Sequence, residues 1–205
     1  MTLKDHLRSL SDKQMPADPL PGTSESNPDP IPAMKDIQGG LVTISADQKS
    51  GMGFLVDGQG KVATNFHLVN GARKIKVTGS SGDVFLAKAP RLDESRDLAL
   101  LQIPAKALRF LTLGDSGGVD VGDEVFLASG SSGDLAKAVV SALRNLEGAL
   151  LIQIDRSIDP EHSGSPLVTK AGTVVGIASY LKGRQEENAG FAVSARELKQ
   201  FLAGE

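Results

Sequence analysis

Cysteine is absent from the 205 residues. Disulfides, thiol nucleophiles and cysteine-based zinc sites are excluded together. The absence assigns no compartment, because a chain without thiols tolerates any redox state. Tryptophan is also missing and aromatic residues make up only 4%, which removes the stacking surfaces that nucleic-acid binders use. The only basic cluster, Arg73, Lys74 and Lys76, has no aromatic interleaving and reads as a solvated strand face, so no nucleic-acid partner is expected. His6, His67 and His162 lack metal-ligand spacing, so neither a metal nor another cofactor is expected. No apolar run is long enough to span a bilayer. The opening MTLKDHLRSLSDKQ carries charges inside its apolar pattern and has no h-region. It is not read as a secretory signal, which makes the chain cytoplasmic by default, or exported if it is processed or trimmed.

Glycine is plentiful, at 23 residues, and 40% of the chain is hydrophobic, a composition that suits many turns around a full core. Residues 1–14 predict a short helix with Leu3, Leu7 and Leu10 on one face, and 15–35 read as a Pro-rich flexible linker. From residue 36 onward the texture is short apolar runs bounded by turn signals. Six runs lie at 41–45, 53–56, 61–65, 74–78, 83–89 and 98–103. Six more lie at 124–128, 137–143, 150–154, 165–169, 173–180 and 189–193. No strand–helix alternation appears, so the fold class is all-β, a sandwich or a pair of barrels. The end is helical: Ser194 and Glu197 form an S-x-x-E capping box, and Leu198, Phe201 and Leu202 face back onto the barrel.

The stretch DPEHSGSPLV (159–168) raises the question of chemistry. A nucleophilic serine needs a base to take its proton and a third group to orient that base. Taken singly, Ser163 reads as a turn residue, His67 in KVATNFHLV as a core histidine, and Asp97 in SRDLALL as a strand-entry residue. Taken together, they stand in the order His, Asp, Ser, with the first two in one six-strand set and the serine in the other. A cleft between two barrels is a place where three such residues can meet. The adjacent His162 is poorly placed to replace His67, since neighbouring side chains diverge. The α/β-hydrolase order Ser–Asp–His fails because no histidine follows Ser163.

The segments SGMGFLVDGQGKVATNFHLV, RDLALLQI, LIQIDRSIDPEHSGSPLV and TVVGIASY…NAGFAVSARELKQFL resemble, in order, the His, Asp, nucleophile and closing segments of trypsin-like proteases of the HtrA/Deg type. The resemblance covers residues 37–202. It implies two perpendicular six-stranded β-barrels with the active site between them and a C-terminal helix. It also implies a serine endopeptidase in which Ser163 is the nucleophile, His67 the general base and Asp97 the group that fixes the imidazole. The oxyanion hole would consist of the backbone N–H groups of Glu161 and Ser163. The substrate pocket would have Ser157 at its base and Ile177, Ala178 and Ser179 as its wall. None of these four carries charge, so small or medium apolar side chains are expected at the cleaved position of a peptide or unfolded protein substrate. HtrA-type chains usually add a PDZ domain and form trimers through N-terminal aromatics. Residues 1–35 hold no aromatic and 205 residues leave no room for a PDZ domain, so a protease domain alone is expected, with its oligomeric state open.

The stretch departs from the family's usual N-P-G-N-S-G-G-P-L mildly at His162 and Ser165 and most seriously at Glu161. Glu161 stands where the family has glycine two residues before the nucleophile. A Cβ there disfavours the backbone conformation of an open hole, and losing one hole donor costs on the order of 10²–10³ in rate. Two expectations follow: an endopeptidase of reduced or switchable activity, or a degenerate protease fold that binds peptides without cutting them.

Overall fold

The computed structural model describes residues 34–114, 119–129, 134–146, 149–180 and 189–204. The helix expected at 1–14, and all of the linker expected at 15–35 except its last two residues, lie outside them. The first element is a helix the sequence reading did not anticipate, α1 (Met34–Gly40), which takes in the end of that linker. Its buried Ile37 joins the core between the two halves of the molecule.

Twelve strands follow, in the order the apolar runs predict. The front barrel is built from β1 (Leu41–Ala46), β2 (Lys49–Leu55), β3 (Lys61–Thr64), β4 (Ile75–Gly79), β5 (Val84–Asp93) and β6 (Leu98–Gln102). The rear barrel is built from β7 (Glu124–Ser129), β8 (Asp134–Leu146), β9 (Ala149–Ile154), β10 (Pro166–Val168), β11 (Val174–Ser179) and β12 (Gly190–Ser194). Each set closes on itself, as β1-β2-β3-β6-β5-β4 and β10-β11-β12-β9-β8-β7, with antiparallel pairs throughout. Closure leaves no edge strand in either barrel. The architecture is the chymotrypsin-like pair of barrels with a C-terminal helix.

On β6, β9, β10 and β11 the apolar runs look continuous because both strand faces are buried, each in a different core. Successive side chains point to opposite faces. On β6, Leu98 and Leu100 join the core between the barrels, while Ala99 and Leu101 fill the front barrel. On β9 and β10, Leu151 and Val168 face the inter-barrel core and Ile152 and Leu167 the rear barrel. β5 runs past the predicted end at residue 89, through Pro90. The pairing with β6 shifts register between Lys88 and Arg91, so the missing N–H of Pro90 falls at an irregularity and breaks no regular ladder.

The chain ends in helix α3 (Ala195–Ala203), with a short helix α2 (Phe66–Val69) inserted after β3. Ser194 caps α3 by accepting the Glu197 N–H at 3.4 Å. The return half of the predicted capping box is not made: the Glu197 carboxylate accepts the Leu150 N–H and meets Arg96 instead. Leu198 and Phe201 are buried against the inter-barrel core and Leu202 packs beside them.

Candidate active site

His67 is carried by α2, directly after β3. The helix is too short to stand by propensity alone. Tertiary bonds hold its start: the Phe66 N–H and the Asn65 side-chain amide both donate to the Asp97 carbonyl, at 3.2 and 3.1 Å. Asp97 closes the β5–β6 turn in the left-handed region, at φ 54°. Its carboxylate then wraps the histidine. Oδ1 accepts the His67 backbone N–H at 3.0 Å, and His67 Nδ1 lies 2.9 and 2.8 Å from Oδ1 and Oδ2. This contact fixes the ring orientation and places the ring proton on Nδ1, leaving Nε2 as the free acceptor.

The turn before Asp97 is itself tied down. Asp93 accepts from the Ser95 hydroxyl at 2.6 Å and the Arg96 N–H at 3.0 Å. Burial acts most strongly on the Asp93 carboxyl and pushes it upward. The bonds from Ser95 and Arg96 and the Arg96 charge together outweigh it and hold the carboxyl below its ordinary value.

The rear barrel reaches the same point through the end of β11. The Ser179 hydroxyl donates to Asp97 Oδ2 at 2.5 Å, and the next residue, Tyr180, donates its backbone N–H to Ser163 Oγ at 2.8 Å. Two consecutive residues therefore touch the carboxylate and the serine. Ser163 follows a 3-10 turn, Pro160–His162, and is fully buried. Its carbonyl accepts the Met52 N–H at 2.7 Å, tying the loop to β2 of the front barrel. Gly164, at φ 86°, is required there: a Cβ would sit 2.0 Å from the Met52 carbonyl oxygen. At Gly51 a Cβ would meet Leu68 and the Ser163 carbonyl at 2.6 and 2.9 Å. That glycine lets the serine loop and the histidine-bearing turn close onto one spot.

The structure thus brings His67, Asp97 and Ser163 into one neighbourhood. Among the described residues, however, no hydrogen bond joins Ser163 Oγ to His67; the oxygen takes the Tyr180 N–H. The Ser163 N–H is also engaged, donating to the Pro160 carbonyl at 3.2 Å, and the His162 N–H donates to Asp159 at 2.9 Å. The His162 ring lies 3.7 Å from the Asp159 carboxylate. A cleft of about 980 Å³ opens along His67, Asp97 and Lys49 on the front-barrel side and Glu161, Tyr180 and Val193 on the rear, while Ser163 is fully buried and does not line it.

The residues proposed for a pocket are placed differently. Ser157 is exposed just past the bend that follows β9 and does not line the cleft. Ile177 packs in the inter-barrel core and Ala178 in the rear barrel, because both faces of β11 are buried. Ser179 serves Asp97 with its hydroxyl. The sequence reading missed that role, although a lone serine ending the apolar VVGIAS run needs a partner once buried. No group of three metal-ligating side chains occurs among the described residues, and no helix among them is long and apolar enough to cross a membrane.

Comparison with known proteins agrees with this fold. The family model described as trypsin-like peptidase domain matches residues 51–177. The chain is 35% identical to the magnetosome formation protease MamE of Paramagnetospirillum magneticum, over 96% of this chain and 28% of that protein. It is 34% identical to the chloroplastic Protease Do-like 1 of Arabidopsis thaliana, over 75% of this chain and 38% of that protein. Among solved structures, the HtrA-type protease AlgW with a tripeptide matches at a TM-score of 0.74 and 26% identity, covering 84% of this chain and 63% of that one. The chain spans roughly a quarter to two-fifths of the length of these curated relatives. With two closed six-stranded barrels and an Asp-held histidine beside a buried serine, the chain belongs to the trypsin-like peptidase family, and within it to the HtrA/Deg type.

Proposed function

We propose that the unit formed by residues 36–205 is a serine endopeptidase working through His67, Asp97 and Ser163. The observation that carries this reading is the double grip on Asp97, by His67 Nδ1 and Ser179 Oγ, beside a serine held by the next residue's N–H. In the working state the Ser163 hydroxyl rotates off Tyr180 toward His67 Nε2. Its proton passes to Nε2 as Oγ bonds to the substrate carbonyl carbon. The C–N bond then breaks, and the leaving amine takes that proton. Water repeats the sequence: its proton goes to Nε2, its oxygen to the carbonyl carbon, and Ser163 recovers its proton as the acid departs. Asp97 stays ionised throughout and stabilises the imidazolium.

The oxyanion needs the N–H groups of Glu161 and Ser163. The second becomes available only when the Pro160–His162 turn opens and releases the Pro160 carbonyl. The enzyme is therefore latent at rest and switched on by a change in this loop. Its substrates are peptides or unfolded segments laid along the cleft. Cleavage after small or medium apolar residues such as Val, Ala or Leu is the preference that the family resemblance gives. A mixed peptide library read by mass spectrometry tests this preference, and cleavage confined to Lys or Arg overturns it.

The engaged Ser163 N–H, together with Glu161 beside it, favours a second reading: a peptide-binding module that does not cut. An activated fluorophosphonate separates the two. Labelling of the native chain but not of Ser163→Ala supports the endopeptidase. Peptide binding without labelling of either supports the module.

A further inference from the structure

The turn that presents Asp97 is fastened from outside the triad by the C-terminal helix. Glu197 lies in the first turn of α3 and is 4% exposed. A carboxylate buried that deeply persists only with charged and hydrogen-bonding partners. It has both: Oε2 is 3.2 Å from Arg96 Nε, and Oε1 accepts the Leu150 N–H of β9 at 3.2 Å. Arg96 immediately precedes Asp97 and also reaches Asp93 through Nη1 at 3.3 Å. One arginine therefore joins the front-barrel turn to a helix packed on the rear barrel. A second arginine on the same hairpin holds the other end of that helix. Arg91 donates to the carbonyls of Phe201 and Leu202 at 2.5 and 3.3 Å, and its guanidinium carbon lies 5.8 Å from the centre of the Phe201 ring. The hairpin whose turn carries Asp97 is thus strapped to both ends of α3.

We infer that Arg96 and Glu197 are positioning residues for Asp97: their ion pair keeps the turn in its left-handed conformation and aims the carboxylate at His67. The left-handed region is disfavoured for a residue with a Cβ, though less for aspartate than for most, so contacts made by the turn help to keep Asp97 there. Neither residue touches the reacting atoms. This inference rests on the triad reading above, and its test has an arm that does not depend on turnover.

The test compares Arg96→Met, Glu197→Leu and the double variant with the native chain, measuring thermal stability, kcat and KM. In a Ser163→Ala background it also follows the His67 Nδ1 proton, a downfield NMR line that sharpens when a carboxylate shields it from exchange. Arg96→Met strands a buried carboxylate and lowers Tm, whereas removing both charges recovers much of the loss, the remainder being the Leu150 N–H left without its Glu197 acceptor. The expected result is that kcat stays down about 10-fold at unchanged KM in the double variant, and that its Nδ1 line stays broadened despite the largely recovered Tm. Recovery of kcat and of the Nδ1 line along with Tm overturns the inference, because the pair is then only structural. A rise in KM with kcat intact also overturns it, because Arg96 then contacts substrate from the cleft wall. If the native chain hydrolyses nothing, the protease reading fails, and the Nδ1 line alone still decides the positioning role.

Discussion

Replacing Glu161 by glycine is expected to raise activity. In the closed turn the Ser163 N–H is held by Pro160 and the His162 N–H by Asp159. Glu161 is absent from the described non-glycine residues with positive φ, which are Asp47, Asp97 and Ala107, so the closed turn suits a residue with a Cβ. Opening turns over the peptide before residue 161 and drives that residue toward the left-handed side. The cost for a non-glycine residue is about 1–2 kcal/mol, and glycine escapes it. The bond from Ser163 to Pro160 is lost on opening in both proteins and cancels. Glu161→Gly therefore shifts the balance toward the open loop by about 5- to 30-fold. While the open form is the minor one, kcat/KM and the fluorophosphonate labelling rate rise by the same factor. The Glu161 side chain is exposed, so solvent screens its charge and the carboxylate itself contributes little. Glu161→Ala makes the distinction: it removes the charge and keeps the Cβ, and is expected to change the rate less than about threefold. If alanine accelerates as much as glycine does, or glycine gives no acceleration, the backbone argument is refuted.

Gly164→Ala pushes a Cβ to 2.0 Å from the Met52 carbonyl oxygen at a left-handed residue; loss of fluorophosphonate labelling together with a clear fall in Tm is expected, and an intact labelling rate counts against the described loop. Asp97→Asn takes away the charge that orients His67 and is expected to lower kcat by about 10⁴, measured on the best peptide from the library. Ser179→Ala deletes one of the two side-chain partners of the Asp97 carboxylate; a bond to a charged group contributes about 1.5–3 kcal/mol, so a fall in kcat of about 10- to 100-fold is expected, and an unchanged kcat would show that His67 alone suffices to hold the carboxylate. Asp93, whose carboxyl is held below its ordinary value, stabilises the turn at pH above the ordinary aspartate range and loses that contribution as pH falls through its lowered folded value. Native chain and Asp93→Asn should accordingly differ in denaturation midpoint near neutrality and converge as the Asp93 carboxyl becomes protonated in the folded chain; a difference that does not narrow as pH falls contradicts the assignment.

Much of the fold is legible in the chain because strands announce themselves locally. Val, Ile and Leu runs between glycine-rich turns mark all twelve strands, and the S-x-x-E signal marks where the last helix begins. Errors gather where partners come from far away. β5 passes through Pro90 because a register shift opposite β6 accommodates it, and no local pattern reveals which strand will lie alongside. α1 carries no local helix signal, its first two residues ending the Pro-rich segment, and Ile37 is held there by burial against the inter-barrel core.

The sequence by itself determined which residues could do chemistry: one ordered set of histidine, aspartate and serine, no thiol and no spaced metal ligands. Side-chain type and turn chemistry are properties of single residues and short stretches, so they can be read in one dimension. Tertiary structure alone decided how those residues stand at rest. It sent the Ser163 oxygen to Tyr180, lent the Ser179 hydroxyl to Asp97, closed the Pro160 carbonyl over the Ser163 N–H, and drew the Glu197 carboxylate from its own helix cap to Arg96. Each of these is a choice between competing hydrogen-bond partners, and only the packing of one barrel against the other determines which partner is within reach.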